Sequence, residues 1–165
     1  MVWKPDFGPG EVINLIAFFA AGVGLILAYR QLRQAATTAR AEFVKSLVSD
    51  FYGNSSIHEA FYQIDCGLLP VDGIIGDKDQ DLASFKEIEK ATDSLLAYLD
   101  MVGRLVKLRA ITEQDARALE YEFVTCYKSP EIQKYLTYLD NLYLHRGQGL
   151  KPLLYFREFA SGISK

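Results

Sequence analysis

Residues 12–29 read VINLIAFFAAGVGLILAY, a run with no charge and one polar residue, Asn14. At 1.5 Å per residue these about 18 positions cover roughly 27 Å as a helix, close to the hydrocarbon thickness of a bilayer. A helix of this length in a soluble core would carry a polar stripe, and none is present. Trp3 and Phe7 precede the run and Tyr29 closes it, at positions where aromatic rings favour the membrane–water interface. The expected element is therefore a transmembrane helix over residues 12–29, preceded by a short extracytoplasmic segment over 1–11.

A cleaved signal peptide is the competing reading. It would begin with a basic region, whereas Lys4 is offset here by Asp6 and Glu11. It would also place small residues just after the apolar stretch, but Arg30-Gln31-Leu32-Arg33 follows, and Ala39-Arg40-Ala41 comes too late. The run reads as uncut.

Arg30, Arg33, Arg40 and Lys45 follow the run, against Lys4 and the amino terminus on the other side. The positive-inside rule then puts the N-terminus outside and residues 30–165 in the cytoplasm. The same cations would meet anionic headgroups, although a topology signal alone accounts for them. Within the run, Ala20, Gly24 and Ala28 recur every four residues, with Ala17 and Ala21 in an adjoining row. Small residues at this spacing allow two helix backbones to approach, so the row is a candidate packing face for self-association.

The remaining chain reads as all-α. From Arg30 to Tyr52 no Pro or Gly interrupts it, and Phe43, Leu47 and Phe51 recur at fourfold spacing, which predicts one long helix leaving the membrane and ending at Gly53-Asn54. Ser56 with Glu59 suggests a capping box for a short helix to Cys66. Residues 67–83, GLLPVDGIIGDKDQDLA, carry three Gly, one Pro and four Asp and read as a loop. A second box, Ser84 with Glu87, opens a helix in which Phe85, Ile88, Thr92, Leu95, Leu99, Val102 and Val106 keep helical spacing. A second row (Leu96, Met101, Gly103, Leu105, Leu108) makes it the expected centre of the core. Thr112 caps the next helix, with Ala116, Leu119, Phe123 and Cys126 inward. Ser129-Pro130-Glu131 starts another, stopped by Gly147, and a last short helix begins at Pro152. No run alternates long enough for a strand. The expectation is a bundle of about five helices behind the anchor.

The 165 residues suit one domain plus an anchor. Half are hydrophobic, the 13% aromatic content speaks against disorder, and a net charge of −3 argues against a nucleic-acid binder. Cys66 and Cys126 form no metal or redox motif and read as inert thiols in a reducing compartment.

The segments ATDSLLAYLDMVGRLVKLRAITEQDARALEYEF, SPEIQKYLTYL and PLLYFREFA, behind the Gln- and Arg-rich YRQLRQAATTARAEFVKSLVSDFY, resemble the DUF4760-type membrane-anchored helical proteins of bacteria. The resemblance covers most of the chain. It rests on hydrophobic patterns and carries over no catalytic residues. It implies a bacterial inner-membrane location and, by the surroundings of some members, a link to stress or phage defence.

Reactive constellations are scarce. Asp77-x-Asp79-x-Asp81 begins like a calcium loop, but Leu82 and Ile88 stand where the turn Gly and the bidentate Glu belong. A solvated acidic loop fits better. His58 and His145 lack HExxH or HxxxH partners. Cys66 lies about 12 Å along the helix from His58, too far for a nucleophile–base pair. No phosphate loop, GxSxG or dinucleotide motif is present. Tyr121, Tyr127, Tyr135, Tyr138 and Tyr143 crowd two neighbouring helices. They make either a partner-binding groove or core residues whose hydroxyls reach the surface.

The sequence thus leads to a non-enzymatic, membrane-anchored interaction module without cofactor or metal, whose partners are the bilayer and a protein or a second copy. The alternatives are an effector whose spans assemble to permeabilise the membrane, and a hydrolase using Asp72, Asp77 or Glu59.

Overall fold

The computed structural model describes residues 9–76, 82–147 and 151–164, and among them every regular element is helical. The chain divides into two units, Met1–Phe43 and Val44–Lys165, described in turn. Helix α1 (Pro9–Gly53) crosses that division without a break.

In the first unit α1 carries the apolar run and then the Ala-rich segment. Every described side chain there is exposed, so the helix is held by its own backbone and its helix-forming residues rather than by packing. Thr37 returns its hydroxyl to the Arg33 carbonyl at 2.9 Å.

The second unit starts with the last turns of α1, where Leu47 and Phe51 point inward. Phe51 meets Tyr52, Phe61 and Tyr98 at centroid distances of 5.1, 5.9 and 5.8 Å, edge-on or tilted as ring quadrupoles prefer. The Tyr98 hydroxyl donates to the Leu47 carbonyl. Helix α2 (Ser55–Asp65) is capped by Asn54, whose side chain accepts from the amides of Ser56 and Ile57 at 3.1 and 3.3 Å. The expected Ser56–Glu59 box does not form. Asn54 already satisfies those first amides, and Glu59 instead accepts from Gln63. At the other end Gly67 turns left-handed, φ +64°, with the Leu68 amide donating to Gln63 and that of Gly67 to Ile64, a Schellman ending.

The stretch expected to be a loop holds a further helix, α3 (Val71–Ile75). Leu69, Val71 and Ile74 are buried from it, so apolar side chains between the turn residues outweigh the Gly and Asp content. Gly73 lets the Phe85 ring lie close against this turn: a Cβ would fall 2.4 Å from the ring, which would have to move. The Asp77–Asp81 segment lies outside the described residues.

Helix α4 (Leu82–Lys107) begins two residues before Ser84, so the expected cap sits within the helix. It packs chiefly against α2 (Ser55–Asp65) and α8 (Leu154–Ile163), with Thr92, Leu95, Leu96, Leu99 and Val102 wholly buried. Thr92 is satisfied by donating to Ile88 at 2.8 Å. Met101 and Leu108, expected inward, are 41% and 66% exposed, which narrows the buried face. Arg109 ends α4 in the left-handed region, φ 58°, a position glycine usually takes. The next expected helix is three pieces: α5 (Glu113–Ala116), a 3-10 turn Arg117–Leu119, and α6 (Glu120–Lys128). Thr112 and Asp115 complete a capping box on α5. Ala116, Leu119, Phe123 and Cys126 are buried as expected.

In α7 (Pro130–His145) Ser129 accepts from the Ile132 amide at 3.3 Å behind Pro130. Arg157 of α8 forks onto Asp140 of α7 with two 2.8 Å bonds. The entry to α8 is set by left-handed Leu153, φ 55°, and by Asp100 accepting from the Phe156 amide at 3.0 Å. Gly103 lies beneath this entry, where a Cβ would sit 2.6 Å from the Tyr155 carbonyl oxygen. Small size at residue 103 is what lets α4 and α8 close on each other.

Candidate functional site

Water contact by apolar side chains marks the first unit. Ile13, Leu15, Ile16, Phe18, Phe19, Val23, Leu25, Ile26 and Leu27 are each more than half exposed. A window of 18 residues reaches a mean hydropathy of 1.8 with none of it buried. Monomeric soluble proteins rarely expose continuous apolar patches beyond a few hundred Å², and larger ones mark surfaces that meet a protein or a membrane. The helix is long and apolar enough to cross a membrane. Ala17, Ala20, Ala21, Gly24 and Ala28 are all exposed along it, and a Cβ on Gly24 would meet nothing within 4 Å. Arg30, Arg33 and Arg40 follow on the same unit, exposed; Lys45, also exposed, belongs to the second unit.

The five tyrosines separate by environment. Tyr135 is fully buried and donates to Asp93 at 2.6 Å; burial first, and the Asp93 contact second, raise its pKa. It has no surface to offer a partner. Tyr138 stacks on it at 6.1 Å and is half-buried, as are Tyr127, which lies edge-on to Phe156, and Tyr143. Tyr121 alone of the five is mostly exposed, at 60%, with its ring against Phe61 and its hydroxyl donating to Asp65 at 2.6 Å. That hydrogen bond is the main cause of its raised pKa.

A polar contact that the sequence reading passed over joins the end of α1 to α6. Glu122 is buried, and the Tyr52 hydroxyl donates to its carboxylate. Holding that proton pushes the Tyr52 hydroxyl up to about 12, with burial adding to the effect. Glu122 precedes inward Phe123, so helical spacing alone marks it as facing the edge of the core; nothing in the sequence pairs it with residue 52.

The candidates for chemistry stay apart. His58 lies against Tyr52 at 6.1 Å between ring centroids, and His145 is exposed. Cys66 is exposed, while Cys126 is fully buried and its thiol is pushed up by that burial, so it stays protonated and unreactive. Asp72 pairs with Lys134 and Glu59 with Gln63; Asp77 lies outside the described residues. Among the described residues no grouping of His, Cys, Asp and Glu has the arrangement to hold a metal ion. A depression of about 660 Å³ beside Gly103 is lined by Lys107, Arg109, Thr112, Tyr155 and Glu158. Lys107 and Glu158 pair there at 2.9 Å, and Arg109 and Glu113 add one charge of each sign to the lining.

No family model, curated protein or solved structure matches this chain.

Proposed function

We propose that the chain is a single-pass inner-membrane protein whose residues 30–165 form a cytoplasmic, non-enzymatic interaction module. The observation that carries the reading is the 18-residue apolar window with no buried share. A core helix of a soluble protein would be covered by its own fold, and this one is not. The cations Arg30, Arg33 and Arg40 at one end, with no carboxylate from Val12 to Ala41, support an inside-facing C-terminal domain.

The module reading draws on what the second unit holds. Its buried thiol is unreactive, and its carboxylates Asp72 and Glu59 are engaged in pairing. What it offers are half-buried aromatic side chains, Tyr127, Tyr138 and Tyr143, and the exposed Tyr121, residue types enriched where proteins meet. The resemblance to DUF4760-type proteins supports a role in bacterial stress or phage defence.

Affinity purification of the full chain from native membranes in mild detergent tests this. A second polypeptide in fixed stoichiometry, or a homo-oligomer, is the expected result. A lone monomer would count against the module.

A further inference from the structure

Successive residues of a helix turn by about 100°, which sorts the exposed side chains of the first unit into two sides. Taking Ile26 as reference, Leu15 and Phe19 fall within about 20° of it, and Val23 within about 60°. Ala17, Ala20, Ala21, Gly24 and Ala28 all fall within about 60° of the opposite line. Ile13 and Asn14 share that side near the start of the run, Leu25 and Leu27 flank it at about 80° from its centre, and Gly22 falls within about 40° of the Ile26 line. Beyond Tyr29 the arginines keep to the bulky side: Arg30, Arg33 and Arg40 lie within about 40° of the Ile26 line. Glu42, the first carboxylate after the run, lies about 160° away, on the side of the small residues. All three arginines are exposed.

Distance along the axis grades them. The polar layer on each side of the hydrocarbon is about 5–7 Å deep. Arg30 stands about 1.5 Å beyond Tyr29 and Arg33 about 6 Å, both within that layer, whereas Arg40 stands about 16 Å out. A guanidinium there meets phosphate oxygens in a bidentate geometry that an ammonium lacks.

We propose that Arg30 and Arg33 bind the headgroup phosphates of anionic phospholipids whose acyl chains lie along Phe19, Val23 and Ile26. This rests on residues 12–29 crossing the bilayer and adds which side of the helix faces lipid. Any neighbouring helix would then occupy the small-residue side, leaving the arginine side to lipid.

The full-length chain in phosphatidylcholine vesicles, probed with spin-labelled phosphatidylglycerol and, separately, spin-labelled phosphatidylcholine, tests the proposal. The motionally restricted fraction of each probe gives their relative affinity for the protein surface. Phosphatidylglycerol is expected to be preferred, with each of Arg30 and Arg33 contributing about fivefold. R30Q/R33Q brings the ratio close to one, R40Q changes it by less than about twofold, and about 0.5 M salt lowers it in the wild type. Equal affinity of the wild type for the two lipids, or a preference that survives R30Q/R33Q, overturns the proposal while the span stands. Absence of any restricted component means that the chain is not in the bilayer, and overturns both.

Discussion

In the first unit Phe18, Phe19, Leu25 and Ile26 stand 62–76% exposed, whereas in the second Phe51, Phe123 and Phe156 have no exposed surface. The side chains are alike in chemistry, and Phe51 even shares helix α1 with the exposed set. What differs is the covering each set receives from the rest of the chain. The bundle hides its rings against one another: Phe123 stacks on Phe156 at 5.9 Å and meets Phe159 edge-on at 4.8 Å. Among the described residues of the apolar run, the Phe18 and Phe19 rings meet edge-on at 6.5 Å while both side chains stay exposed. Amphipathic helices make their own interior in water; a helix apolar on all sides must be surrounded, by other protein or by lipid.

The largest expected effect sets the two regions against each other. Phe123→Ala should destabilise the bundle by about 3–5 kcal/mol, the range for emptying an aromatic core site. Phe19→Ala should leave the unfolding midpoint of the bundle unchanged. Chemical denaturation of both variants in detergent, followed by circular dichroism, reads the contrast, and equal losses would erase it. Next comes Val23→Arg, which puts a charge in the middle of the run at a cost of about 2.5–3.5 kcal/mol for membrane insertion. The membrane-bound fraction should fall sharply while the bundle keeps its stability; unchanged partitioning would break the comparison from the other side.

Gly103→Ala drives a methyl group into the Tyr155 carbonyl and should cost about 1–3 kcal/mol by overpacking α4 against α8. Thermal unfolding measures it, and a neutral result would mean that the two helices separate freely. Tyr52→Phe leaves the buried Glu122 carboxylate without the hydroxyl that donates to it, a loss of about 1–3 kcal/mol near neutral pH. Alkali gives a second reading. The folded chain raises the Tyr52 and Tyr98 hydroxyls from 10.0 to about 12, so it binds these protons more tightly than the unfolded chain. Their contribution is therefore complete below pH 10 and is lost as pH rises toward 12. Tyr52→Phe and Tyr98→Phe should each flatten that loss in urea titrations across the window.

Much of this was legible in the residues. The inward rows Leu95-Leu99-Val102 and Ala116-Leu119-Phe123-Cys126 follow from 3.6-residue periodicity, and Ser129-Pro130 and Gly147 mark ends whose chemistry is local. Sequence and structure part where local cues compete. Asn54 outranks Ser56 as a cap because it reaches two amides at once. Residues 71–75 form a helix in a Gly- and Asp-rich stretch because Val71 and Ile74 have a core to enter. Tyr135 shares the Ile132–Leu136 face that periodicity turns inward, but the Asp93 carboxylate that satisfies its buried hydroxyl lies 42 residues away in sequence. In the same way the Tyr52–Glu122 contact joins residues 70 apart in sequence, a separation that no periodicity encodes.

The central claim is that residues 12–29 reside in a bilayer as part of the intact chain. Alkaline carbonate extraction of native membranes, with the mass of the retained chain read by mass spectrometry, tests it most directly. The full 18.6 kDa polypeptide should stay in the membrane pellet. Recovery of the chain in the supernatant, or of a mature form lacking the apolar run, would contradict the account.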